Sequence, residues 1–418
     1  MNSHICSQAE LNINSMVSEL SDFPAVRQAT FRSVLEILLR DGPVSRAEIA
    51  RRTGLSKQTI SDVMRDLEQN EWVEEHGLSQ GAIGRSALNY CIRGRSAFAL
   101  AVDLGGTKLH VALVDITGQI VSEATEPTDA RGGIQVVKQI GRLMTSLVRE
   151  SGADRSAVRV GVMGSPGVVN PSTGGITIAP NIPGLDRIDV AAALASELGF
   201  PVALENDVNL AAVGEGWRGD NGGARTFAFI AIGTGIGLGL VADGRLIRGA
   251  HGAAGEIAYL PVGGDPFDAR NFRLGTLESA IHSAAISERY AGHGGPPMTV
   301  RDIFAALEAG DEAARATLEE VARIVALAVL SVSSLIDPEL VVFGGSIGSR
   351  PELLAEIDCA LARCMASPTR TAISSLGARA TLIGAIGTGL DRLHESLFGI
   401  GPSLGAAPPQ ASSSAVAA

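Results

Sequence analysis

Residues 102–108 read VDLGGTK, an acid followed by two glycines, a threonine and a lysine at the end of an apolar run. Glycines at a strand end let backbone N–H groups approach phosphate oxygens. Gly105 and Gly106 are so placed, Thr107 adds a hydroxyl donor and Lys108 a charge. Asp103 offers the oxygen ligand that Mg²⁺ prefers. A second stretch, GTGIGLG at 233–239, presents Gly233, Thr234 and Gly235 in a similar setting. Neither is a Walker A loop, and Leu238 stands where the dinucleotide fingerprint needs glycine. In LENDVNLAAVGE (204–215), Asn206 and Asp207 fall between a predicted strand and a predicted helix. A carboxylate there can take the proton of a hydroxyl during phosphoryl transfer. GAHGAAGEIAYL (249–260) and LGTLES (274–279) put Glu256 and Glu278 on glycine-flanked elements, suited to a ligand rich in hydroxyls. Any one of these acids alone would be read as a solvated loop charge.

A different chemistry is written in the first hundred residues. The run RRTGLSKQTISDVMRDL (51–67) holds a TGLS turn, with Gly54 permitting the reversal and Ser56 capping the helix that follows. That helix presents Lys57, Gln58, Thr59 and Ser61 near its N-terminus, side chains able to reach base edges in a major groove. Between 51 and 65, Arg51, Arg52, Lys57 and Arg65 face Asp62 alone, a local excess of positive charge suited to phosphates. GAIGRS places Arg85 on a candidate wing, from which it would enter a minor groove. Charged amphipathic helices of no particular function are the plainer reading. The agreement of cap, turn, polar face and basic cluster argues against it.

The elements that must carry these residues follow from periodicity. Residues 27–41 read as a helix with Val34, Leu35, Leu38 and Leu39 on one face, stopped by Gly42-Pro43. Residues 45–53 form a short second helix, with Ser45 and Glu48 spaced as a capping box. The third helix, 57–70, turns Ile60, Val63, Met64 and Leu67 inward, and two extended segments follow. Helix, turn, helix and hairpin make a winged helix-turn-helix. From about residue 96, apolar strands alternate with helices at 134–151, 189–199, 311–335 and 351–366, which predicts an α/β architecture. AVDLGGTKLHVALVDITGQIV (101–121) is echoed by IAIGTGIGLGLVADGRLI (230–247), which predicts a duplicated lobe.

The chain has 418 residues and a net charge of −11, and the first 95 carry only −1 of it. Bulk charge therefore does not draw it to nucleic acid or anionic membrane. Cys6, Cys91, Cys359 and Cys364 form no CxxC pair, and are read as free thiols of a reducing cytoplasm. No signal peptide or membrane span is indicated, and IVALAVLSVSSLI (324–336) is read as a buried helix. The expected organisation is an arm over 1–24, a DNA-binding domain over 25–95, and lobes over 96–224 and 225–398. The last helix packs back on the first lobe, and a disordered tail covers 399–418.

Taken together, the motifs of residues 27 to about 398 resemble the ROK family of repressors, open reading frames and sugar kinases. DLGGTK resembles its first phosphate loop and IGTGIGLG its second. LENDVNLAAVGE resembles its sugar and catalytic segment, GAHGAAGEIAYL its signature, and VVFGGSI its nucleotide-side glycine loop. The resemblance implies an actin/hexokinase-like body of two α/β lobes. It implies that Asn181, Asn206, Asp207, Glu256 and Glu278 contact sugar, with Asp207 as catalytic base in a kinase. It also implies that Asp103, Gly105, Gly106, Thr107, Gly233, Thr234, Gly235, Gly344 and Gly345 line the ATP phosphates. The family signature ends GEIGH and a cysteine cluster follows, which together hold a structural zinc. Here the stretch reads GEIAY, then PVGGDPFDARNFRLG with no cysteine. Tyr259 remains able to hydrogen-bond a hydroxyl, so sugar binding is expected and zinc is not.

The expectation is a cytoplasmic, sugar-responsive transcriptional regulator, a repressor of carbohydrate genes, acting as a homodimer or larger homo-oligomer on palindromic operator DNA. A sugar or sugar phosphate is the effector, no cofactor is needed for regulation, and no membrane is involved. The alternative is an ATP-dependent sugar kinase using Mg-ATP, alone or combined with regulation. A third reading has degenerate lobes that only dimerise.

Overall fold

A computed structural model of the chain describes residues 25–80, 86–170, 175–177 and 182–401. The expected arm, Arg85 of the wing, Asn181 and all of the tail beyond 401 lie outside them.

The chain opens with α1 (Ala25–Asp41), β1 (Val44–Ser45), α2 (Arg46–Thr53), α3 (Lys57–Gln69), β2 (Val73–Gln80) and β3 (Ser86–Ile92). Local sequence sets the helix ends. Ser45 accepts the N–H of Glu48 at 3.3 Å and begins α2, and Gly54, left-handed at φ 71°, ends it. Ser56 accepts the N–H of Thr59 at 3.0 Å and starts α3. The capping box is only half made, because the Glu48 carboxylate turns to Arg51 and Arg52 instead. β1, β3 and β2 form an antiparallel sheet in that order, giving the hairpin of a winged helix.

The α/β body starts with β4 (Phe98–Leu104), β5 (Lys108–Asp115), β6 (Ile120–Pro127), α4 (Gly133–Ser151) and β7 (Val158–Ser165). Next come β8 (Val168–Val169), β9 (Ile176–Thr177), α5 (Val190–Leu198) and β10 (Val202–Asn206). The second half begins with α6 (Asp207–Arg218), β11 (Phe227–Ile232), β12 (Ile236–Ala242) and β13 (Arg245–Leu246). It continues through α7 (Thr276–Ile281), α8 (Ser283–Gly292), α9 (Val300–Glu308) and α10 (Glu312–Ile336). It ends with β14 (Leu340–Gly344), α11 (Gly345–Gly348), α12 (Pro351–Cys364), β15 (Thr371–Ile373) and α13 (Ala380–Phe398).

The echo in the sequence has its counterpart in topology. One five-stranded sheet runs β10-β7-β4-β5-β6 and the other β13-β12-β11-β14-β15. Number the strands of each by first appearance, and both read 3-2-1-4-5. Each begins with an antiparallel hairpin, β4–β5 and β11–β12, whose tip carries one of the Gly/Thr loops.

The chain divides into two compact units. One comprises Met1–Met163, Ile182–Leu204 and Ala385–Ala418, and the other Gly164–Asn181 and Glu205–Gly384. The sequence predicts a first lobe over 96–224, but residues 205–224 fall in the second unit. The reason is glycine: a Cβ at Gly237 or Gly239 of β12 would strike Val208 or Ala212, so α6 lies directly on that strand. In the first unit the winged helix shares one apolar core with the lobe. Phe31, Leu35, Trp72, Val73 and Ile92 pack in the same cluster as Ala99, Ile116, Leu393, Leu397 and Phe398. Ile400, assigned by sequence to the tail, is buried there too. α10 buries its inner face as expected, while Leu335 stays 80% exposed. No helix among the described residues is long and apolar enough to cross a membrane.

Candidate functional site

The second unit gathers the predicted acids. β10 ends at Asn206, which caps α6: its Oδ1 accepts the N–H of Val208 at 2.9 Å and of Asn209 at 3.0 Å. Its Nδ2 donates to the Gly167 carbonyl at 3.0 Å. Both ends of the amide are engaged, so Asn206 holds the start of α6 in place. Asp207 is the first residue of that helix and accepts the N–H of Val208 at 2.9 Å. Desolvation raises its carboxyl above the ordinary range, against that hydrogen bond. Glu256 follows the left-handed Gly255, where a Cβ would lie 2.0 Å from the Leu238 carbonyl oxygen. Desolvation raises it too, as do the charges of Glu278 and Asp207. Glu278 in α7 is raised by desolvation, while its Oε2 accepts the N–H of Ile236 at 3.0 Å. The charges of both Glu278 and Asp207 act on Glu256, so each of those two carboxyls lies near that of Glu256.

The two loops expected to hold phosphate are tight hairpin tips. In the second unit, Gly233 donates to the Gly235 carbonyl at 2.9 Å, Ser283 donates to that of Gly233 at 3.0 Å, and Thr234 is exposed. Gly344 ends β14, where a Cβ would meet the Phe229 ring at 2.4 Å. A Cβ at the left-handed Gly345 would meet the Ile232 carbonyl oxygen at 2.4 Å. These two glycines therefore also serve close packing. In the first unit, Gly105 donates to the Lys108 carbonyl at 2.9 Å and Thr128 donates to that of Gly105 at 2.7 Å. Gly106, Thr107 and Lys108 are exposed and Asp103 is half-buried on β4.

Three supporting residues escape sequence inspection. Glu205 is buried and accepts from Arg248 Nε at 2.6 Å, Asn209 Nδ2 at 3.0 Å and the Asn206 N–H at 3.0 Å. Thr381 donates its hydroxyl to the Asp207 carbonyl at 3.1 Å. Glu205 stands beside two singled-out residues and its acidity inside an apolar strand was a signal. Arg248 and Thr381 gave none.

The segment 260–275 does not suit zinc. It holds no cysteine, and among the described residues no group of three or more His, Cys, Asp or Glu is placed to hold a metal. Hydrogen bonds close the loop instead. Asn271 Nδ2 donates to the Asp265 carbonyl at 2.8 Å, and Gly275 donates to that of Asn271 at 2.8 Å. Tyr259 is 47% exposed and, among the described residues, its hydroxyl reaches only the Arg273 carbonyl, at 3.5 Å.

On the winged helix, Lys57 and Gln58 are exposed on α3, and Thr59 and Ser61 are half-buried. Ser56 and Thr59 share a hydrogen bond at 2.8 Å, so their hydroxyls belong to the cap. The basic cluster is less free than its sequence window implies. Arg51 and Arg52 both bind Glu48, Arg52 also binds Asp41 at 2.8 Å, and Arg65 binds Asp62 at 3.1 Å. Those bonds hold Glu48 at about 2, well below its ordinary value.

A winged helix joined to a duplicated α/β body with clustered acids defines a DNA-binding protein built on a sugar-kinase fold. The chain belongs to the ROK family, whose model matches residues 99–388. A winged helix-turn-helix DNA-binding model matches residues 30–74. The chain is 32% identical over 275 residues to a glucokinase of Halalkalibacterium halodurans, covering 61% of this chain and 82% of the relative. It is 24% identical over 340 residues to a xylose repressor of Caldicellulosiruptor bescii, covering 77% and 84%. A solved ROK family transcriptional regulator, a homologue of the E. coli MLC protein, superposes with a TM-score of 0.72 at 23% identity. That match covers 89% of this chain and 98% of the regulator, and speaks for the fold.

Proposed function

We propose that this ROK-family regulator is a sugar-responsive repressor, with α3 reading operator DNA and the Asp207–Glu256–Glu278 cluster receiving a sugar or sugar phosphate. One observation carries the reading. The winged helix is not tethered by a free linker but shares its core with the lobe behind it, through Trp72, Ile92, Leu393 and Phe398. A DNA-reading head so joined is sensitive to the state of the body. Similarity to a xylose repressor over 77% of the chain supports the same reading. The assembly proposed is a homodimer on a palindromic operator, since one head offers one set of contacts. The compartment proposed is the cytoplasm. Regulation needs no cofactor, and the donor set of 260–275 argues against zinc.

Regulation requires that the sugar bind the DNA-competent and DNA-incompetent states unequally. The test screens hexoses, pentoses, amino sugars and their phosphates for thermal stabilisation of the full chain, then repeats DNA binding with the stabilising sugar. A sugar that stabilises the protein and changes its DNA affinity is expected. Stabilisation by none, with DNA binding intact, would leave a regulator without a sugar sensor and overturn the reading.

Kinase activity is the second reading, and the intact hairpin tips and Asp207 favour it. The resemblance implies Mg-ATP along Asp103, Gly105, Gly106, Thr107, Lys108, Gly233, Thr234 and Gly235 in that case. We favour weak or absent transfer, because the signature histidine and the cysteine cluster that would brace the sugar side are missing from the sequence.

A further inference from the structure

The outer face of α3 carries an acid that holds its neighbours. Asp62 lies four residues after Gln58 and three before Arg65, so the three share a stripe facing away from buried Ile60, Val63, Met64 and Leu67. Gln58 Nε2 donates to both carboxylate oxygens of Asp62, at 3.1 and 3.2 Å. Arg65 Nη1 donates to Oδ1 at 3.1 Å. The side chain of the exposed Gln58 is thus oriented, with its amide nitrogen turned along the helix to Asp62.

We propose that Asp62 is a specificity-determining residue of DNA recognition, selecting an exocyclic amino group, cytosine N4 or adenine N6, on the base edge that it faces. The proposal rests on reading α3 as the recognition helix. An ionised carboxylate only accepts hydrogen bonds. In the major groove, guanine presents N7 and O6, and thymine presents O4 and a methyl group. Only cytosine and adenine present amino donors there. Opposite guanine or thymine the Asp62 carboxylate would lose water and gain nothing. Gln58 sharpens the choice. A free glutamine turns its donors and acceptor to suit either kind of base edge, whereas Gln58 has one amide N–H taken by Asp62, which fixes the direction of its second N–H and of its Oε1. Asp62 also offsets Arg65, which lowers affinity for phosphates of any sequence.

The plain alternative is a surface ion pair and hydrogen bond of no consequence beyond the helix. Such pairs contribute little to stability, so Asp62→Asn will fold, and the two readings part in the DNA that each protein selects. Full-length wild type, Asp62→Asn, Asp62→Glu and Lys57→Ala are each used to select from a pool of randomised duplexes. Their affinities for selected and unselected DNA are then measured against salt. The wild type should select cytosine or adenine at one position in each half-site, against the other bases by about tenfold. Asp62→Asn, whose amide donates as well as accepts, should broaden that preference to guanine and thymine and bind unselected DNA more tightly, and Asp62→Glu should keep the preference for an amino group. An unchanged consensus and unchanged ratio in Asp62→Asn would overturn the proposal. Lys57→Ala separates the two levels of failure. If it weakens binding to all duplexes while Asp62→Asn selects as wild type does, only the role of Asp62 is wrong. If Lys57→Ala binds as tightly as wild type, α3 is not the recognition helix and both readings fall.

Discussion

Glu278 Oε2 accepts the N–H of Ile236 at 3.0 Å, and a Cβ on Gly235 would stand 2.7 Å from the same oxygen. A carboxylate assigned to sugar and a hairpin tip assigned to phosphate are therefore one mechanical piece. Gly235 is not among the glycines with positive φ, so an alanine there has an ordinary backbone and only the contact with Glu278 changes. Gly235→Ala should leave melting of the unliganded protein within a few degrees of wild type. It should cut stabilisation by the effector sugar, because the displaced carboxylate no longer meets its hydroxyl. Thermal shift against sugar concentration reads both effects. An undiminished shift would remove Glu278 from the site.

The three raised carboxyls make a prediction about pH. Asp207, Glu256 and Glu278 lie above the ordinary 3.8 of aspartate and 4.5 of glutamate, first through desolvation in each case. The folded state then binds protons that the unfolded chain has released, and stability falls as pH rises through the raised values. Their favourable contribution is complete below 3.8–4.5 and lost above the folded pKa values. Unliganded protein should therefore melt higher at mildly acidic pH than at neutrality, within the window above those values. Asp207→Asn and Glu278→Gln should each flatten that dependence and raise neutral-pH stability. Melting curves across pH check it, and an equal slope in the variants would show that other groups dominate.

Phe398 joins the last helix to the DNA-binding domain. Its ring meets Trp72 edge-on at 5.2 Å between centroids, and Arg32 Nε donates to its carbonyl at 2.9 Å. Nearby, His394 hydrogen-bonds the Ile116 carbonyl at 2.8 Å, and burial lowers its pKa. Phe398→Ala should cost about 3–5 kcal/mol in the first unit, the usual range for emptying a core phenylalanine. Hydrogen exchange should report faster opening across β2 and β3, with effector stabilisation retained. Unchanged protection of those strands would mean that the winged helix stands without this contact.

What the sequence disclosed was whatever is written locally. Ser45, Gly54 and Ser56 mark helix ends because caps are made within four residues, and the 101–121 echo at 230–247 names two hairpins because both strands and tip are contiguous. The acids Asp207, Glu256 and Glu278 were visible as types and only the fold brings them together. Long-range partners left no trace: Thr381 lies 174 residues from the Asp207 carbonyl it binds, and Arg248 lies 43 from Glu205. The glycines of GTGIGLG do not all serve one purpose. Gly237 and Gly239 are small so that Val208 and Ala212 fit against β12, a packing demand indistinguishable in sequence from a phosphate loop. The basic window 51–65 likewise missed its counterions, since Glu48 and Asp41 stand outside it.

Those counterions set the next expectation. Arg51 and Arg52 share the Glu48 carboxylate, at 2.6 Å for each of the closest contacts. Binding phosphate with either arginine means giving up that acid. Glu48→Gln should free Arg51 and leave Arg52 with Asp41 alone, and so raise affinity for all duplexes alike, with a salt slope steeper by about 1 for each added phosphate contact. The ratio between selected and unselected DNA should stay the same. Titrations at several salt concentrations decide it, and an unchanged slope would show that neither arginine reaches DNA.

Holding a phosphate and transferring one make different demands on Asp207. Transfer needs a sugar hydroxyl in line with ATP and a base within hydrogen-bond reach, and a misplacement of about 1 Å can cost on the order of 100-fold in rate. Asp207 itself is firmly set, through Val208, Asn206 and the Thr381 hydroxyl on its carbonyl. The side expected to hold sugar is less so, because Tyr259 is turned toward the Arg273 carbonyl and the 260–275 segment has no cysteine to brace it. A correctly held base beside a loosely braced substrate should bind sugar and transfer phosphate slowly or not at all. The measurement is ATP turnover with Mg²⁺ and the stabilising sugar, for wild type beside Asp207→Asn. Turnover near background in both, with sugar still altering DNA affinity in Asp207→Asn, is expected of a sensor. Brisk turnover abolished by that one substitution would instead make the chain a working kinase that carries a DNA-binding head.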